Sequence, residues 1–219
     1  MTSRSVFVVS LRTGIVLVSF TVIFTALMAL AYRATKDIIA ASAEAEKMKL
    51  VNEILPQKDY DNTLLSDFVE MPPSDVLGTD TPTRLFRARK GGLPAALIVE
   101  TVAPDGYSGK IHILVAVRDN GEVAGVRVTQ HKETPGLGDY IDIRKDKNKA
   151  RPWITQFTGA VYNPAAPGQW RVKKDGGRFD QVTGATISAR AVTNAVGRAL
   201  AFTLDNRAKL FELPTKVRF

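Results

Sequence analysis

The sequence predicts an α+β fold: an antiparallel sheet packed with helices, carried behind a single N-terminal transmembrane helix with a helical extension. Three observations predict it. Residues 13–32 form an uncharged apolar stretch, residues 85–131 alternate apolar segments with Gly, Asn and Asp turns, and a helical pattern over 186–207 follows them. Strands first and a helix segregated after them point to α+β rather than to alternating α/β units.

The stretch TGIVLVSFTVIFTALMALAY, residues 13–32, is bounded by Arg12 and Arg33. As a helix it reaches about 30 Å, the thickness of a bilayer's hydrocarbon core. Ala29-Leu30-Ala31 has the small-x-small form of a signal-peptidase site, so a cleaved signal peptide is the competing reading. The apolar run exceeds the roughly 7–15 residues of a signal core, which favours an uncleaved signal-anchor. Basic residues stand on both sides, Arg4 and Arg12 before the span and Arg33, Lys36, Lys47 and Lys49 after it, and do not orient it by themselves. The short N-terminal tail places the N-terminus inside. The remainder then lies on the periplasmic side of a bacterial inner membrane.

Beyond the span, ATKDIIAASAEAEKMKLVNEILP reads as a helix leaving the bilayer and stopped by Pro56. Pro72-Pro73, Gly78 and Pro82 mark an irregular approach to a domain starting near Thr81. The expected layout is a cytoplasmic tail at 1–12, the span at 13–32, extension and linker at 33–80, the folded domain at 81–207 and a C-terminal tail at 208–219.

Within the domain, LFRARK, AALIVETVA, KIHILVAVR and EVAGVRVTQH read as strands. Asn120-Gly121 between two of them predicts a type I′ hairpin, in which both central residues take positive φ. HKETPGLGDYI is too rich in Gly and Pro for a regular element, and a short helix is expected around 152–157. QWRVKK and RFDQV look like further strand. On the final helix Val192, Val196, Ala199, Leu200 and Thr203 share one face and can pack on the sheet.

Thirty Lys and Arg against 22 Asp and Glu give a net charge of +8. The basic residues are scattered, which fits a solvated surface near anionic membrane lipid and not a nucleic-acid interface. The chain has no cysteine. That excludes thiolate-held iron–sulfur clusters, Cys-based zinc sites and thioether-linked haem, so a redox role requires a cofactor attached in another way.

The stretch DQVTGATISARAV, residues 180–192, places Thr183 and Thr186 around a Gly-Ala pair at a helix start. Either threonine can be an N-cap. The same helix start is also a site for phosphate, since amide N–H groups and the positive end of the dipole meet there. A nucleophilic threonine needs a general base. Neither histidine stands near in sequence: His112 alternates with Ile111 and Ile113 on a strand, and only His131 remains as a distant candidate. A threonine hydrolase is therefore disfavoured against modification by a separate enzyme.

The pattern D-x-x-T-G-A-T at 180–186 resembles the recognition site of flavin transferase, which attaches FMN through its phosphate to the last threonine. TVAPDGYSG at 101–109, VTQHKETPGLGDYI at 128–141 and VKKDGGRFDQVTGATIS at 172–188 occur in the order seen in the RnfG family, the G subunits of Rnf (Rsx) ion-translocating electron transport complexes. The order is also similar to that of the C subunit of sodium-pumping NADH:quinone reductase. Three ordered blocks behind an N-terminal span cover nearly the whole chain.

The resemblance implies FMN held covalently through its phosphate on Thr186, in an FMN-binding domain spanning 81–207. It implies cofactor contacts from Thr134, Gly136, Leu137 and Gly138 in the ETPGLG loop, from Thr183, Gly184 and Ala185 beside the tether, and from Tyr107 and Ser108. Asp180 matches the position that the transferase recognises. Thr183 stands where serine is common. The implied role is an electron-carrying subunit without independent catalysis, in a complex coupling ferredoxin/NAD electron transfer to ion translocation. Its implied partners are the other subunits, the transferase and membrane lipid. Two other readings stay open on the residues alone: PDGYSG and ETPGLG as ordinary turns, and the whole chain as a membrane-anchored interaction or scaffold protein without a flavin.

Overall fold

The computed structural model describes residues 3–219. It divides into two compact units, Met1–Lys47 and Met48–Phe219. The described residues of the first belong to α1 (Ser3–Ile54). Its segment Phe7–Ile39 is long and apolar enough to cross a membrane, and none of its apolar window is buried in protein. Phe7, Phe20 and Phe24 are each more than half exposed, a surface that suits lipid. Thr21 and Thr35 turn their hydroxyls back to the carbonyls of Leu17 and Ala31, at 2.9 and 2.8 Å, so neither needs water.

In the second unit β1 (Phe68–Met71), β2 (Thr83–Lys90), β3 (Leu93–Gly106), β4 (Gly109–Arg118) and β5 (Val123–Gln130) form one sheet in sequence order, each pair antiparallel. Side chains alternate across a strand, and here both sets are apolar, so both faces must be covered. Ile111, Ile113, Val115 and Val117 of β4 share a core with α2 (Thr186–Glu212), to which Val192, Val196, Ala199 and Leu200 contribute. Leu114 and Ala116 turn the other way, into a second core with Val51, Ile54 and Leu55. The face expected on α2 is buried, Thr203 included.

The structure corrects four expectations. The Asn120-Gly121 turn is not type I′, because Gly121 has φ of +82° while Lys216 is the only non-glycine at positive φ among the described residues. Gly121 N–H donates to Arg118 O and Arg118 N–H to Glu122 O, and Asn120 Oδ1 accepts from Glu122 N–H at 3.0 Å. An Asx contact thus replaces the second positive φ. QWRVKK and RFDQV are not strands. Pro167–Gln169 and Lys173–Asp175 are 3-10 turns, and the two expected strands share only one parallel bridge, Val172 to Phe179. Burying rings decides there: Phe179 lies 4.6 Å from Trp170 and 4.7 Å from Phe157, between ring centres.

The segment expected as linker contains β1, with Phe68, Val69 and Met71 buried. The segment expected as a C-terminal tail begins inside α2 and then pairs with β1: Lys216 N–H donates to Phe68 O, Glu70 N–H to Val217 O and Phe219 N–H to Glu70 O. Helix ends leave carbonyls without intrahelical donors. At the end of α2 these meet two arginines of β2. Arg87, 1% exposed, donates to Leu210 O at 3.0 Å and to Leu213 O, while Arg89 donates to Phe211 O at 3.0 Å. Both also hold Asp67, at 2.5 and 2.8 Å.

Candidate functional site

Helix α2 starts at Thr186 with Ala185 as its N-cap, and no side chain caps it. Reading Thr183 or Thr186 as the cap is therefore overturned, because the cap position falls on a residue whose side chain has no acceptor. The first-turn amides, which have no intrahelical partner, suit an anion. Thr183 is exposed and Thr186 half-buried. Gly184 sits between them at φ +88°, with nothing within 4 Å of where a Cβ would stand.

Tyr140 fixes this turn. Its hydroxyl donates to Ala185 O at 3.2 Å and accepts from Val182 N–H at 3.3 Å. Burial, with smaller contributions from nearby Asp146 and Glu133, pushes its pKa up to about 12. A phenol that ionises in the unfolded chain near pH 10 but not in the folded one stabilises the fold fully below pH 10. That stabilisation is lost between about 10 and 12, by about 2–3 kcal/mol. Tyr140→Phe is expected to lose less stability than the parent between pH 9 and 11, measured by urea denaturation; equal losses would remove Tyr140 as the source.

The three sequence blocks converge on one groove of about 230 Å³. Tyr107, Thr134, Leu137, Gly138, Gly184 and Ala185 line it, as expected, and so do Glu133, Ile187 and Ser188, which sequence reading missed. Ser108, Gly136, Thr183 and Thr186 are not in the lining; Thr186 lies between two residues that are. Tyr107, Leu137 and Ile187 expose 67, 57 and 44% of their surface, so the walls are apolar and open. A larger hollow of about 580 Å³, beside Trp170, Arg171 and Arg198, contains none of the expected site residues.

The ETPGLG loop owes its shape to Pro135 and Gly136. Leu137 N–H donates to Thr134 O at 3.1 Å, and Gly136 has φ +77°, the geometry of a type II turn with Pro and Gly at its centre. Gly138 has a steric role: a Cβ there would stand 2.5 Å from Ser188 Oγ and 2.9 Å from Glu133 Oε2. The loop therefore approaches α2 itself. Ser108 enters through its backbone, donating N–H to Glu133 Oε1 at 3.0 Å.

Asp180 lies outside the groove, on a hollow of about 320 Å³ shared with Arg151 and Trp153. Its backbone is held from both sides: its N–H donates to Gln156 Oε1 at 2.7 Å, and its carbonyl accepts from Trp153 Nε1 at 2.6 Å. The carboxylate faces outward, 65% exposed and 2.5 Å from Lys173 Nζ. His131 is engaged elsewhere, its Nδ1 accepting from Glu133 N–H at 3.1 Å and its Nε2 3.8 Å from Asp142. Among the described residues no group of three or more His, Asp or Glu is placed to hold a metal ion. The arrangement offers apolar walls for a flat ring, and a helix N-terminus with a hydroxyl residue for a phosphate. These residues fit FMN.

Residues 106–201, which include every expected site residue, match the family model of the FMN-binding domain, and residues 8–54 match that of the RnfG N-terminal region. The G subunit of the ion-translocating oxidoreductase complex from Shewanella baltica (strain OS223) is 42% identical over 93% of this chain and 94% of its own. The chain belongs to the family of G subunits of ion-translocating oxidoreductase complexes. Another member of this family, from Vibrio cholerae serotype O1 (strain ATCC 39541 / Classical Ogawa 395 / O395), is 38% identical over 93% of this chain and 94% of its own. The crystal structure of Shewanella oneidensis NqrC aligns with a TM-score of 0.47 at 23% identity, covering 70% of this chain and 73% of that one. Membership of the G-subunit family accounts for both the apolar helix and the FMN-binding domain in which the groove lies.

Proposed function

We propose that this protein carries FMN as a phosphodiester on Thr186 and passes electrons within a membrane complex that couples ferredoxin/NAD electron transfer to ion translocation. The observation that carries the proposal is the meeting of an uncapped α2 N-terminus at Thr186 with an apolar-walled groove built from all three sequence blocks. FMN supplies reversible electron acceptance; the chain supplies tether, walls and surroundings. Tyr107, Leu137 and Ile187 offer the ring apolar surface, Thr134 a hydroxyl at the loop, and the start of α2 donors for the phosphate. Thr186 acts as a tether, since among the described residues no base is hydrogen-bonded to its hydroxyl.

Attachment is then the work of a flavin transferase, with Asp180 as its recognition mark on a rigid backbone and an outward carboxylate. The FMN-binding domain works on the periplasmic side of a bacterial inner membrane, anchored in lipid by α1. An ester link prevents loss of the flavin where no FMN pool replaces it.

Denaturing electrophoresis of the full chain from cells that make the transferase should give a band fluorescent under ultraviolet light, with intact mass raised by one FMN less one water. A dark band of unmodified mass would favour a scaffold protein instead. Asp180→Ala should lower flavin loading several-fold without changing the melting temperature; full loading would remove Asp180 from recognition.

A further inference from the structure

Glu133 opens the ETPGLG loop and forms part of the groove wall, 3% exposed. Its Oε1 accepts the Ser108 N–H at 3.0 Å and its Oε2 accepts the Ser188 hydroxyl. As a carboxylate, Glu133 can accept both bonds. Among the described residues no cation forms an ion pair with it. Lys132, next to it in sequence, is exposed, and Arg144 NH2 and His131 Nε2 lie 2.8 and 3.8 Å from a different acid, Asp142. Compensation comes instead from the two donors and from the positive end of α2, in whose first turn Ser188 stands.

A buried carboxylate without a cation is costly. A neutral glutamine could also join hairpin turn, loop and helix start at less cost, its amide oxygen accepting from Ser108 N–H and its NH2 donating to the Ser188 hydroxyl. The charge itself therefore calls for a reason, and its position on the groove wall supplies one. Negative charge held in a poorly screened wall disfavours the arrival of further negative charge nearby.

We propose that Glu133 is a positioning residue for the groove whose charge holds down the reduction potential of the flavin bound there. This rests on reading the groove as the FMN site.

The test uses the detergent-purified full chain with FMN attached, titrated spectroelectrochemically. Glu133→Gln keeps the size and one acceptor but removes the charge. At the parent's midpoint its reduced-to-oxidised ratio should rise about tenfold, an upward shift of about 30 mV for a two-electron couple. Ser188→Ala keeps the charge and removes a donor, so its potential should move downward. A clamp without an electrostatic role predicts lower melting temperatures with an unmoved potential. An unmoved or lowered potential in Glu133→Gln therefore overturns the proposal. If that variant does not fold, Ser188→Ala decides: a downward shift supports the proposal, and no shift or an upward one overturns it. A parent protein that binds no flavin would refute the site reading; a loaded parent with an unmoved variant refutes only the role of Glu133.

Discussion

Alanine at position 186 is expected to abolish covalent flavin while leaving expression, membrane location and melting behaviour of the apoprotein near those of the parent. Thr186 begins α2 half-buried, and alanine is a better helix former than threonine, so the helix has no reason to unravel. What disappears is the only oxygen at that position able to carry the phosphate ester. The fluorescent band on a denaturing gel should fall to background. Thr183→Ala, three residues away and exposed, should retain it; loss in both variants or in neither would place the tether elsewhere.

Arg87→Met is expected to be the most destabilising single change outside the apolar core, costing about 3–5 kcal/mol in urea denaturation. Arg87 is 1% exposed and serves four groups: Asp67, the carbonyls of Leu210 and Leu213, and the Thr215 hydroxyl. Methionine fills much of the volume but leaves those acceptors without their donor. The loss is large beside the ~5–15 kcal/mol of a typical domain. Acid behaviour offers a second measurement. Burial raises the Asp67 pKa, but hydrogen bonds from Arg89 and Arg87 outweigh it, and the net shift is downward. A carboxyl with a lowered folded pKa contributes stability above its unfolded value, near 4, and that contribution fades as pH falls through the folded value. The variant should therefore start lower at neutral pH and lose less below about pH 4. A parallel acid profile would separate Arg87 from Asp67.

Periodicity made β2 to β5, α2 and the membrane helix legible, since each repeats an apolar pattern over eight or more residues. It failed for β1, whose four residues are followed at once by Pro72-Pro73 and whose burial depends on neighbours distant in sequence. It also failed around Trp170 and Phe179, where alternation looks like strand but ring packing selects 3-10 turns. At the candidate site the turn at 183–186 and the loop glycines were readable because each leaves a local mark. Tyr140, Trp153 and Gln156 leave none, as they act through hydrogen bonds to residues 24 to 45 positions away. Glu133 did leave one: a lone acid heading a loop otherwise made of Gly, Pro, Leu and Thr.

The pairing of residues 216–219 with β1 bears on how neighbouring subunits can hold this one. An open strand edge invites a partner to add a strand of its own. At β1 that invitation is already taken up by the chain itself, and at the start of β5 the backbone of Val123 is bonded to Gly159 and Ala160. Backbone pairing with another protein is thereby denied along β1 and at the start of β5. Recognition at these places has to be written in side chains, so its specificity can be redesigned by surface substitutions that leave the sheet untouched.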